Sequence, residues 1–230
     1  MSLSPKDLQQ RKIYDILEKI DSPFDRSISD ILNQYEAKFE ENKKWMAESQ
    51  EKIDEMVSEY YQECEEAGED VYVEPPDTSM DYIEAVYENN GAHYFHESWC
   101  EELMAISELK IIYGFKQIEI ALKKFLLIFE DGIDLKSVQR WDDLKRHFNQ
   151  MDVKISEVSN YKEINELRQV NNALKHSHKV TESVKTMSIV EFKDKDYFTH
   201  DSLLNFYNRV YCLRDVFIKG VAQKLAEKYA

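Results

Sequence analysis

ISDILNQYEAKFEENKKWMAESQEKIDEMVSEY, residues 28–60, places apolar or small residues at Ile28, Leu32, Tyr35, Phe39, Asn42, Met46, Ser49, Ile53, Met56 and Tyr60. The steps alternate between four and three, the repeat of one face of a long α-helix and not the two-residue alternation of a strand. No glycine or proline interrupts the run. Asn42 and Ser49 put polar groups into a heptad-like seam, which favours packing against a neighbouring helix over an autonomous coiled coil.

Outward from this segment the helical pattern continues. Residues 5–20 predict a short helix, with Ser4 as N-cap and Pro5 at the first helical position. Asp21-Ser22-Pro23 signals the start of the next helix. The stretch Glu65 to Ser79, EEAGEDVYVEPPDTS, carries Gly68, Pro75 and Pro76 and predicts an exposed loop or hinge. A short helix over 80–89 is expected to stop at Asn89-Asn90-Gly91, and a long one over 93–130 to close at Asp131-Gly132. Further helices are expected at 137–149, 159–175 and 201–228, the last carrying Leu203, Tyr207, Val210, Phe217, Val221 and Leu225 at helical spacing. The segment 150–158 reads equally as loop or short helix. Only 186–198, TMSIVEFKDKDYF, alternates like a strand, and loop is the other reading. The expectation is an all-α helical bundle, organised as an acidic N-terminal helical region over 1–90 and a bundle over 91–230.

Composition limits the functional classes. The 230 residues hold only 5 Gly and 4 Pro, are 43% hydrophobic and 33% charged, and fit long amphipathic helices around a sizeable core. Cys64, Cys100 and Cys212 are far apart and odd in number, which points to a reducing, cytoplasmic setting without a disulfide framework. MSLSPKDLQQRKIYDILEKI lacks the unbroken apolar run of a signal peptide. The most apolar stretch, Ile111 to Phe129, contains Lys116, Glu119, Lys123 and Lys124, so a buried helix is expected there and no membrane span. The net charge of −15 argues against a phosphate partner until it is located. Between Glu48 and Glu88 lie 15 carboxylates against Lys52 alone, a local charge of −14 that leaves −1 for the rest. The acidity is regional, and a nucleic-acid site elsewhere stays open.

Arg168-Gln-Val-Asn-Asn-Ala-Leu-Lys-His176 is the segment with the most chemistry. With Ile164 set to zero, Leu167, Leu174 and Val170 fall near about 300°, 280° and 240°, the core-facing side. Lys175, Arg168, Asn172 and His176 fall near about 20°, 40°, 80° and 120°, and Asn171 lies at the edge of the apolar face. A planar guanidinium fork, an amide, an ammonium and an imidazole thus share one flank. Arg matches a phosphate with paired donors, and His exchanges protons near neutral pH. Asn172 can orient either group, while Lys175 adds positive charge where a phosphorane accumulates negative charge. Nothing in this set requires a metal or another cofactor. A solvated polar face is the alternative reading. Against it stands the Asn171-Asn172 pair, two poor interior helix formers placed side by side.

The order of elements resembles the HEPN superfamily of helical RNases and RNase-like toxins. Its long helix of Tyr-x-x-x-Glu-x-x-Leu-Lys character is similar to Tyr113-Gly-Phe-Lys-Gln-Ile-Glu119-Ile-Ala-Leu122-Lys123, and its Arg-x(4–6)-His helix to Glu166-Leu-Arg168 through His176. The likeness covers roughly residues 93–228. It implies a metal-independent endoribonuclease, a toxin or antiviral defence effector, with Arg168 on the scissile phosphate and His176 on the ribose 2′-hydroxyl. Asn172 would complete the catalytic set, with Asn171 and Lys175 as substrate-binding residues. It also implies a homodimer with a composite site and RNA as substrate. Seven residues separate Arg168 from His176, one more than the family spacing, which turns His176 by about 80° from Arg168.

Other constellations are weaker. His93, His96, Glu97 and Cys100 straddle two helical faces, a poor arrangement for a metal that needs converging ligands. His147 in WDDLKRHF reads as a surface residue, and His178 as a loop histidine or an assistant to His176. The acidic segment 48–88 is a solvated face, a surface for a basic partner or an internal inhibitor, in that order. A non-catalytic helical module that binds a protein partner through the N-terminal acidic region is the competing function.

Overall fold

The structure, a computed structural model, describes residues 5–18, 23–67, 79–130 and 132–229. The chain is an all-α helical bundle. Its α-helices are α1 (Pro5–Glu18), α2 (Pro23–Ala67), α3 (Met80–Phe129), α4 (Trp141–Gln150), α5 (Tyr161–His176), α6 (Glu182–Lys185) and α7 (His200–Lys228). Short 3-10 turns stand at Leu135–Ser137, Ile155–Glu157 and Val190–Phe192. The strand-like alternation at 186–198 yields one such turn and a single antiparallel bridge between Lys179 and Tyr197. No described helix is long and apolar enough to cross a membrane. The proposed cap at Ser4, the signal at Asp21-Ser22 and most of the Glu65–Ser79 segment lie outside the described residues.

Contacts group the chain into two compact units, one of residues 29–105 and one of residues 1–28 with 106–230. The boundary expected at residue 90 falls inside α3, because the expected stop at Asn89-Asn90-Gly91 does not stop the helix. Asn89 donates from Nδ2 to Gln50 Oε1 (3.1 Å) and accepts from Ser49 Oγ (2.9 Å). The Gly91 Cα side faces Trp45, whose ring would lie 3.8 Å from an added Cβ. Partners on α2 thus bind Asn89 and pack beside Gly91, two weak helix formers that stay in helical geometry.

The 29–105 unit is an antiparallel hairpin of α2 and the first part of α3. Tyr35 meets Trp99, Phe39 meets His96, Asn42 meets Ala92, and Ser49 meets Asn89, so one index rises as the other falls. The seam read from residues 28–60 is the packed face. Ile28, Leu32, Asn42 and Ser49 are buried and the remaining seam residues half-buried. Asn42 donates to Ala92 O (3.2 Å), which gives the seam's first polar position a cross-helix partner.

In the second unit α7 packs against α5 and α1, and the rest of α3 meets α7. Ile111, Ile118, Leu122, Phe125 and Leu126 of α3 are buried with Phe206, Phe217, Val221 and Leu225 of α7. Each buried side chain of this size contributes about 1.5–3 kcal/mol of transfer free energy. The α3 and α7 helices run parallel here, since Ser107 meets His200, Lys110 meets Tyr207 and Gln117 meets Arg214. A reciprocal capping box starts α7, with Ser202 N bonded to Thr199 Oγ1 (3.3 Å) and Thr199 N to Ser202 Oγ (3.0 Å).

Candidate functional site

The α5 helix begins after Asn160, a left-handed residue with φ 64°, and ends where Ser177 N and His178 N both donate to Ala173 O (2.9 and 3.2 Å). His178, at φ 52°, supplies the left-handed turn that closes it. His176 is therefore the last helical residue, and the register from Arg168 holds throughout. The two lie about 12 Å apart along the axis and about 80° apart around it.

Ile164, Glu166, Leu167, Val170, Asn171, Ala173 and Leu174 form the buried side of α5. Arg168 and Asn172 are half-buried, and Lys175 and His176 are exposed. Four of the five expected site residues thus lie off the core face. Asn171 does not. It is 1% exposed, donates weakly to Asn172 Oδ1 (3.4 Å), and its own Oδ1 is buried without a hydrogen-bond partner among the described residues. It lies at about 340° on the wheel, at the edge of the apolar arc, and is buried there.

Arg168 is held from one side only. Its Nε donates to Asn165 Oδ1 (3.0 Å), one turn back, and its two terminal nitrogens make no hydrogen bond among the described residues. A planar fork fixed at its stem presents its outer donors to whatever approaches. Its charge also contributes to holding the Asp142 carboxyl below its ordinary value, after the hydrogen bond and charge of Lys145. His178 is committed elsewhere, its Nδ1 lying 3.0 Å from Glu108 Oε1. His147 likewise pairs with Glu130 (3.0 Å) and is half-buried, where a surface residue was expected.

Sequence reasoning missed the charged groups inside the second unit. Glu166, 4% exposed, accepts from Arg209 Nη2 (2.9 Å), while Arg209 Nε binds Glu191 Oε1 (2.7 Å). The hydrogen bonds that Arg209 donates to Glu191 and Glu166 raise its pKa against the opposing effect of burial. Glu166 sits near about 200° on the same wheel, inside the buried arc, and that position was a readable signal. Arg214 is 1% exposed, donates from Nη1 to Gln117 Oε1 (2.6 Å) and from Nε to Asp215 (3.0 Å), and lies 4.7 Å above the Tyr211 ring. Lys110, 8% exposed, stands 5.0 Å over the Tyr207 ring.

Among the described residues no group of three or more His, Cys, Asp or Glu side chains is placed to hold a metal ion. His96 instead stacks on Phe39 at 4.8 Å, with its Nε2 3.8 Å from Cys100 Sγ. No family model, curated protein or solved structure matches the chain. The site is therefore defined by its own geometry: a helix half sunk in a core, with cationic and imidazole groups along its open flank.

Proposed function

We propose that the chain is a metal-independent endoribonuclease of the HEPN kind, acting in the cytoplasm as a toxin or antiviral defence effector. The observation that carries this reading is the outward fork of Arg168, pinned at Nε by Asn165 and open at both terminal nitrogens, on the flank that also presents Asn172, Lys175 and His176. Arg168 binds the scissile phosphate. His176 takes the proton of the ribose 2′-hydroxyl, whose oxygen attacks phosphorus as the 5′-oxygen leaves with a proton. The products are a 2′,3′-cyclic phosphate and a 5′-hydroxyl. Lys175 offsets the phosphorane charge. A separation of about 12 Å along one helix makes a site shared between two copies the better fit, with Arg168 of one strip opposite His176 of the other.

Incubating purified protein with mixed RNA in EDTA tests this. Cleavage is expected, and Arg168→Ala or His176→Ala should each lower it by about 100-fold or more with unchanged helical circular dichroism. Cleavage undiminished in both variants sinks the proposal. The alternative, a non-catalytic module, draws on the hairpin's exposed Met80, Tyr87 and Tyr94 at heptad spacing in acidic surroundings. That reading predicts no RNA cleavage by clean protein.

A further inference from the structure

Within the hairpin, α2 and α3 leave a groove of about 370 Å³ lined by Lys38, Glu41, Asn42, Trp45, Phe95 and Trp99. The α2 residues recur at steps of three and four, and Phe95 and Trp99 at a step of four, so each helix turns one face to it. Its volume is within the range of small-ligand sites. Three aromatic rings supply the walls, Trp45 and Phe95 with centroids 6.2 Å apart. Asn42, 5% exposed, is at the floor; its Nδ2 is committed to Ala92 O, and its Oδ1 has no hydrogen-bond partner among the described residues. Glu41 at the rim has no ion-pair partner among the described residues, whereas neighbouring Glu40 holds Lys43 (2.8 Å). The groove's charged lining is thus one carboxylate, Glu41, and one ammonium, Lys38.

The groove already shows how a cation sits in it. Lys38 Nζ stands 5.2 Å over the Trp99 ring and 5.7 Å over Tyr35. Trp45 and Phe95 carry no such guest among the described residues. The composition of the unit favours one: residues 29–105 hold 22 carboxylates against Lys38, Lys43, Lys44 and Lys52, a net −18, with four of the carboxylates outside the described residues, while the rest of the chain is +3. Such a net charge attracts cations and repels phosphate.

We infer that this groove binds an arginine side chain of a basic partner peptide. The guanidinium stacks on Trp45 and donates N–H groups to Glu41. A guanidinium is favoured over an ammonium because it is planar, weakly hydrated and rich in donors. A stacked nucleobase would use the same rings, but its phosphates would approach a unit of net charge −18. This site is independent of the α5 strip, so nuclease activity and groove binding can fail separately.

Titration of the full chain by tryptophan fluorescence, with oligo-arginine, oligo-lysine of equal length and oligocytidylate, tests it. Oligo-arginine is expected to saturate at least about tenfold more tightly than oligo-lysine, with the preference surviving high salt. Trp45→Ala and, separately, Glu41→Gln should each reduce it to the oligo-lysine level. Glu41→Gln is isosteric and at the rim, so it serves if Trp45→Ala disturbs the fold. Equal affinity for the two peptides, indifference to Glu41→Gln, or tighter binding of oligocytidylate overturns the assignment.

Discussion

The hairpin of residues 29–105 and the second unit both bury polar side chains, but among the described residues only the second unit buries charged ones. The hairpin buries Asn42 and Ser49, neutral groups that reach backbone or amide partners across the seam. The second unit buries Lys110, Glu166 and Arg214, ionic groups that need charge, amide or ring partners on other helices. The charge is distributed the other way, with −18 on the hairpin's 77 positions and +3 elsewhere. Among the described residues, the unit with the stronger net charge thus keeps its buried seam free of ions, while the other unit buries three charged side chains. Neutral polar groups in a seam fix register at small cost, whereas buried ions are tolerated only when every partner is in place.

Removing a buried ion should break this comparison most visibly. Arg214→Ala leaves Gln117 Oε1 and Asp215 without their donor and opens a cavity beside Tyr211. A loss of about 3–5 kcal/mol is expected in urea unfolding followed by circular dichroism. Arg214→Met, which keeps volume, should recover part of it. A loss below about 1 kcal/mol for the alanine variant would show that the buried charge is not held by these partners.

The matching change in the hairpin should be smaller. Ser49→Ala removes the hydroxyl that donates to Asn89 Oδ1 at 2.9 Å. Asn89 keeps its bond to Gln50 Oε1, so about 1 kcal/mol is expected. A loss equal to that of Arg214→Ala would erase the distinction between the two units.

The same distinction explains what could be read from the sequence. The seam at 28–60, the core faces of α5 and α7 and the outward flank of Arg168, Asn172, Lys175 and His176 were legible, because one helix's periodicity decides them. Continuity of α3 through Asn89-Asn90-Gly91 was not, because the groups that override that stop signal, Ser49, Gln50 and Trp45, lie about forty positions upstream. Arg214 with Gln117 and Glu166 with Arg209 are pairings across long separations, which no local pattern encodes. Asn171 fell between: its place at the edge was visible, its burial was decided by the neighbouring helices.

The smallest effect expected concerns acid. The described carboxyls held below their ordinary value by lysine or backbone hydrogen bonds include Asp142, Asp143, Asp152 and Asp196, all in the second unit. For Asp152 the main cause is the hydrogen bond from Lys228, which ties the end of α7 to the turn after α4. A lowered carboxyl stabilises the folded state fully above its unfolded value of 3.8, and that contribution disappears as pH falls below 3.8 through the folded value. Hydrogen exchange, corrected for its intrinsic pH dependence, should therefore show unchanged protection at the end of α7 from neutral pH down to about 4.5 and fraying below 3.8. Lys228→Met should fray that end already at neutral pH and remove the acid step. Asp152 is 83% exposed and Lys228 35%, so the change should stay confined to the last turns. Fraying that begins near neutral pH, or an acid step that survives Lys228→Met, would assign the end of α7 to other contacts.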